Sequence, residues 1–240
     1  FAGRAPYLKE EREMTENYYA KSLNAKRLQQ VYETAIPRVE QYLRCEIEFV
    51  ASDLKKSDDV LELAAGYGRI MKEVAPFAKS VTGLDISCEN VRYGKEYLKD
   101  SPNVTLLEMD VHTMDYDCCF NAVLCLQNAL SAVKATVPEA FAAHALRSLK
   151  EGGRAYFSTY HPKFWESRLA WFVEQAEKGL LGDIDFEKTK EGVIVCKDGF
   201  KATTHSIEDF EKIGLASGYP WRIFEVDDSS IFLVIEKNRA

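Results

Sequence analysis

The stretch Val60-Leu61-Glu62-Leu63-Ala64-Ala65-Gly66-Tyr67-Gly68-Arg69-Ile70 decides how the rest of the chain is read. It is a short apolar strand that runs into two glycines and then directly into a helix. Glycine has no Cβ, so a turn of this kind lets bare backbone N–H groups approach a ligand closely. It also aims the positive end of a helix at that ligand. Further on, Val81-Thr82-Gly83-Leu84-Asp85 ends a second strand in a carboxylate. That pairing is how open α/β sheets hold nucleotide-like cofactors at the carboxyl edge of their strands.

Outward from this stretch the chain alternates strand and helix. After Gly68 a helix carries Ile70, Met71, Val74 and Ala75, and Pro76 lies near its end. Lys79 to Leu84 is the second strand, and Ser87 caps a helix holding Val91, Tyr93 and Leu98. Val104 to Met109 is a third strand ending at Asp110. Phe120 to Leu126 is continuously apolar, as expected of a strand buried on both faces of a parallel sheet. Pro138 opens a helix running to about Leu149, Gly152-Gly153 reads as its stop signal, and Arg154 to Ser158 is a fifth strand. This repetition predicts βαβ units and a parallel sheet.

Before the glycine strand, Thr15 to Thr34 reads as one helix with an apolar and aromatic stripe, Pro37 breaks it, and Val39 to Leu54 reads as a second. These helices, residues 1–55, are expected to form a lid over the cofactor mouth, with the catalytic domain over 56–240. In the last third, Phe164 to Glu177 is helical and aromatic, and Gly192 to Cys196 with Phe200 to Thr204 reads as a hairpin. Ser206 to Asp209 resembles a capping box. Arg222 to Val226 and Ile231 to Ile235 are joined so tightly that they must be antiparallel neighbours.

Composition narrows the partners. With 240 residues, 46% hydrophobic and 29% charged, the chain can bury a proper core as a globular enzyme. A net charge of −7 argues against a nucleic-acid footprint. The six cysteines show no C-x-x-C and no Cys/His ligand spacing, so reduced thiols, a cytoplasmic location and no metal are expected. No apolar run is long enough to span a bilayer, so no membrane partner is expected. The N-terminus has neither Met nor an apolar signal core and reads as a trimmed end.

A dinucleotide is the first cofactor to consider. It fails at the third fingerprint position, where Met71 stands and close helix–strand packing wants Gly or Ala. Glu62 before the glycines, Asp85, Asp110 and the terminal hairpin together explain more. In order and spacing, Val60 to Lys237 resembles the class I S-adenosylmethionine-dependent methyltransferases. The resemblance implies a Rossmann-like, doubly wound, seven-stranded α/β sheet, mostly parallel, with an antiparallel C-terminal hairpin strand. It implies S-adenosylmethionine as cofactor and S-adenosylhomocysteine as product. By position, Glu62, Ala64, Gly66 and Gly68 match the first motif, with Ala64 where a first glycine is common. Asp85 would take the ribose hydroxyls with Ile86 beside the adenosine, and Asp110 with Val111 would meet the adenine. Gln127 and Asn128 fall near the methionine portion and the acceptor. Arg69 is a candidate for the methionine carboxylate or for a surface ion pair.

Methyl transfer from a sulfonium needs placement in a dry pocket more than it needs a base. His161, just past the fifth strand, is the first candidate for an acceptor-side group, and His205 the second. Tyr19, Tyr32, Tyr160 and Trp165 are candidates to wall an acceptor pocket. The chain has no Asn/Asp-Pro-Pro-Tyr/Phe segment and no Pro-Cys nucleophile, which with the acidic charge favours a small-molecule acceptor, in a monomer or homodimer. Acceptor specificity is expected to reside in residues 160–204. A protein or RNA methyltransferase, a non-catalytic S-adenosylmethionine-binding protein and an NAD-dependent oxidoreductase are the alternatives.

Overall fold

The computed structural model describes residues 23–133 and 137–238. Two helices come first, α1 (Ala25–Tyr32) and α2 (Pro37–Ala51). Pro37 does not only end the first helix. It occupies the first turn of α2, where its missing N–H costs nothing. The glycine strand is β1 (Asp59–Leu63), followed by α3 (Arg69–Val74), β2 (Ser80–Asp85), α4 (Cys88–Tyr97), β3 (Val104–Glu108) and β4 (Phe120–Cys125). Then come α5 (Ala129–Ala132), α6 (Pro138–Arg147), β5 (Leu149–Tyr160) and α7 (Trp165–Glu177). The chain finishes with β6 (Ile194–Val195), β7 (Lys201–Ala202), α8 (Ile207–Ser217), β8 (Trp221–Val226) and β9 (Ser230–Lys237).

The seven-stranded sheet runs β3-β2-β1-β4-β5-β9-β8. All strands are parallel except β9, which is antiparallel to both β5 and β8. The strand order reverses between β1 and β4, so the carboxyl ends of those two strands frame the crevice where open α/β sheets bind ligands. Strand alternation sends Leu61, Leu63, Val123 and Cys125 to one face, packed with α6 and α8 residues such as Phe141 and Phe210. Val60, Ala122 and Leu124 go to the other, packed with Met71, Val74 and Val50.

Two expectations are corrected. The first helix begins at Ala25, with Leu23 and Asn24 outside it, and the part expected over Thr15 to Ser22 lies outside the described residues. Gly152-Gly153 does not stop a helix. α6 ends at Arg147, and both glycines lie inside β5, where the pairing with β4 shifts register. A Cβ at Gly153 would sit 2.9 Å from two backbone carbonyl oxygens, so glycine there permits the bulge.

A third apolar cluster lies over the carboxyl edge. It joins Leu23, Val31, Val39, Tyr42 and Leu43 of the leading helices to Phe164, Trp171, Phe172, Ile194 and Phe200 of the last third. Trp171 Nε1 donates to the Val31 carbonyl at 2.9 Å, and Arg27 donates to the Gly179 carbonyl at 2.8 Å. The two leading helices and the 160–204 segment therefore share one core.

Candidate functional site

Backbone geometry sets the turn after β1. Gly66 and Gly68 have φ of 56° and 88°, the left-handed region that glycine occupies without strain. Ala64 also has φ 56°. The reason a glycine is common there is thus conformation as well as size. Leu28 of α1 rests on the turn, its Cδ2 3.0 Å from where a Gly66 Cβ would be.

Asp85, at the end of β2, is buried and held by three donors. Gly66 N–H reaches Oδ2 at 2.7 Å, while Ser87 N–H and Asn90 Nδ2 reach Oδ1 at 3.0 Å. Two carboxylate oxygens offer about four acceptor positions, so the anchored group retains capacity for a ligand hydroxyl. Asn90 in turn accepts from Ala25 N–H at 2.7 Å, which ties α1 to the same carboxylate. Burial raises the Asp85 carboxyl above its ordinary value, against those hydrogen bonds.

Glu62, 3% exposed, has a buried Oε2 with no hydrogen-bond partner. Burial pushes its carboxyl up to about 8, with Arg69 opposing and Asp85 reinforcing. Arg69 has a buried Nη2 without a partner and lies 4.6 Å over the Tyr32 ring. At the end of β4, Gln127 and Asn128 adopt φ of 54° and 62°, conformations that cost non-glycine residues of order 1–3 kcal/mol and concentrate at functional sites. Gln127 N–H donates to Ser158 Oγ at 2.7 Å and to Glu46 Oε2 at 3.1 Å. The buried Gln127 Nε2 has no partner.

These orphaned atoms test the expected cofactor. One carboxylate oxygen, one guanidinium nitrogen and one amide nitrogen, each buried without a partner, are the donor and acceptor types that an amino acid's ammonium and carboxylate need, the groups at the methionine end of S-adenosylmethionine. Asp85 with the 67%-exposed Ile86 offers an acceptor and an apolar surface for an adenosine. Asp110 lies past β3 with one oxygen accepting from His112 N–H at 2.9 Å, and Val111 is buried. The residues fit the group.

On the acceptor side, both ring nitrogens of His161 have partners. Its Nδ1 accepts from Lys163 N–H at 3.0 Å and caps a short 3-10 helix, while Nε2 bonds Glu225 at 2.9 Å. With both nitrogens engaged, the ring acts as a structural cap. The ligand atoms of His161, Glu225 and Asp228 lie within 4.8 Å of one another, but Lys163 Nζ already pairs with Asp228 at 2.8 Å. His205 differs. Its backbone N–H donates to Thr159 Oγ1 at 3.2 Å, Thr159 donates to Asn128 Oδ1 at 2.9 Å, and Asn128 donates to the Thr203 carbonyl at 2.6 Å. Its Nε2 is buried and unpartnered, and burial lowers its pKa. Tyr160 and Trp165 face the buried Arg168 guanidinium, 4.4 and 5.9 Å from their ring centres. Tyr19 lies outside the described residues.

Sequence reasoning missed Glu46. It is 0% exposed on α2, with Oε1 accepting from Ser230 Oγ at 2.8 Å in addition to the Gln127 bond. The signal was present: Val39, Tyr42, Leu43, Glu46, Ile47 and Val50 form the buried stripe of this helix, and Glu46 is the charge on it.

Residues 60–153 match the family model of a methyltransferase domain. No curated protein sequence matches. Solved structures that resemble the fold include the N-methyltransferase NodS from Bradyrhizobium japonicum in complex with S-adenosyl-L-homocysteine, at 12% identity over 94% of this chain and 99% of that one, TM-score 0.59. Another is the 1,6-didemethyltoxoflavin-N1-methyltransferase of Burkholderia thailandensis, at 12% identity over 100% and 92%, TM-score 0.63. A third is the magnesium protoporphyrin IX methyltransferase of Synechocystis, at 14% over 95% and 97%, TM-score 0.61. The order of the seven-stranded sheet agrees with that family match over residues 60–153.

Proposed function

We propose that the protein transfers a methyl group from S-adenosylmethionine to a nucleophile on a small molecule. The observation that carries this is the trio of buried, unpartnered atoms Glu62 Oε2, Arg69 Nη2 and Gln127 Nε2, from residues at the carboxyl ends of β1 and β4 and the start of α3. Glu62 binds the ammonium, Arg69 and Gln127 the carboxylate, and Asp85 the ribose hydroxyls, with the adenine toward Ile86 and Asp110. Bound there, S-adenosylmethionine supplies an activated methyl group. The chain supplies placement and dryness.

The acceptor enters through the aromatic cap that α1, α2 and α7 build, where Tyr32, Tyr160 and Trp165 lie. Similar folds belong to enzymes whose names specify small acceptors, such as 1,6-didemethyltoxoflavin and magnesium protoporphyrin IX, which supports the same class here. His205 orients an acceptor group through Nε2, its ring held neutral by burial. Six free cysteines support a reducing, cytoplasmic setting. Calorimetry with S-adenosylhomocysteine and with NAD tests the reading. Binding of the first alone is expected, and binding of NAD alone would overturn it.

A further inference from the structure

Glu46 carries an inference that deepens this reading and rests on it. The carboxyl sits at the junction of three elements: it leaves α2, meets the Gln127 N–H at the end of β4 and meets Ser230 Oγ at the start of β9. Gln127 is also a cofactor-side residue by its position, so Glu46 lies where donor and acceptor meet. The Tyr32 phenol, raised by burial, also feels the charges of Arg69, Glu62, Glu46 and Asp85. One helical turn before Glu46, Tyr42 centres a group of aromatic rings. Tyr160 lies 5.4 Å from it, Phe164 4.9 Å and Trp171 6.3 Å, centroid to centroid. Rings in this cap already hold guanidinium groups over their faces, Arg69 on Tyr32 and Arg168 on Tyr160.

A buried carboxylate one helical turn from a group of aromatic faces suits an organic cation. We infer that Glu46 binds the ammonium group of the acceptor and takes its proton, so that the substrate class is a cationic amine. The step balances: one N–H bond of the ammonium breaks, an O–H bond forms on Glu46, and the nitrogen keeps the electron pair that makes it a nucleophile. Ser230, Ser158 and the Gln127 N–H all bond the Glu46 carboxyl, and of its about four acceptor positions one remains for this purpose. Burial pushes the group up to about 7, eased by Ser230, Ser158, Gln127 and Arg69, which suits proton exchange near neutrality. The titratable and charged groups facing it are Arg69 from α3, Tyr32 from α1, Tyr42 from its own helix and Tyr160 from β5.

The test is calorimetric, on the full chain saturated with S-adenosylhomocysteine, with benzylammonium as cationic probe and benzyl alcohol as its neutral counterpart. Benzylammonium is expected to bind at pH 8.5. Its affinity should fall at least tenfold at pH 6, where Glu46 is protonated, and at least tenfold in Glu46→Gln, with benzyl alcohol unchanged in both arms. No binding of benzylammonium to the wild-type complex, or equal affinity across the pH arms, overturns the inference; so does equal affinity in a folded Glu46→Gln. If that variant does not fold, the wild-type pH arms decide. Failure of S-adenosylhomocysteine itself to bind overturns instead the methyltransferase reading beneath it.

Discussion

Met71 fills the space that Gly83 leaves open on the neighbouring strand: a Cβ at Gly83 would overlap Met71 Sδ and lie 2.9 Å from Ala65 Cβ. The close packing that dinucleotide-binding turns obtain from a third glycine on the helix is obtained here from a glycine on β2. Gly83→Ala is expected to destabilise the fold by about 1–3 kcal/mol through overpacking. Denaturant unfolding checks it, and in the Gly83→Ala/Met71→Ala double variant the two effects should fall well short of additive.

Asp85 is both a scaffold and a ligand group. Asp85→Ala removes the acceptor for Gly66, Ser87 and Asn90 as well as for a ribose. S-adenosylhomocysteine affinity is expected to drop by about 1.5–3 kcal/mol, the scale of lost charge-assisted hydrogen bonds. Titration calorimetry measures the drop, and wild-type affinity would remove Asp85 from the site.

The buried carboxyls set a pH dependence. Glu62 and Glu46 titrate near 8 and 7 in the ligand-free fold, against an ordinary 4.5. Between those limits the folded chain holds more protons than the unfolded chain, so stability present below pH 4.5 is lost as pH rises through 7 and 8. A ligand ammonium beside Glu62 favours its ionised form. S-adenosylhomocysteine binding at pH 6.5 should therefore release protons and tighten toward pH 8. Calorimetry in buffers of different ionisation enthalpy reads the proton count, and net uptake would contradict the assignment.

The two histidines should separate. His161→Ala loses a helix cap and is expected to cost about 0.5–2 kcal/mol of stability while retaining turnover per folded molecule. His205→Ala should lower turnover with S-adenosylhomocysteine affinity unchanged. Thermal unfolding and a labelled-methyl assay on both variants make the comparison.

Much of this was legible in the chain. The strands announced themselves because the parallel sheet is covered on both faces, which forces continuous apolar runs such as Phe120 to Leu126, and the carboxylates stood at their ends. The bulge at Gly152-Gly153 was not legible, because paired glycines serve a helix stop and a strand bulge equally well. His161 looked catalytic by position along the strand, but Glu225, which engages its ring, comes from a strand 64 residues away. Glu46 was hidden by its surroundings in the sequence, where Arg44 and Glu48 make it look like one more charge on a solvated helix; those neighbours form their own exposed ion pair at 3.5 Å.

The cap over the carboxyl edge shares none of its buried residues with the two clusters that hold the sheet. Apart from Tyr32 and Leu28, which touch Arg69 and the Gly66 turn, substitutions in its wall fall outside the two clusters that pack the strands leading to Glu62, Asp85 and Gln127. Under the proposed function, acceptor preference is thus free to drift over generations while the grip on the methyl donor stands still, and the same separation lets an engineer recast the cap without rebuilding the enzyme.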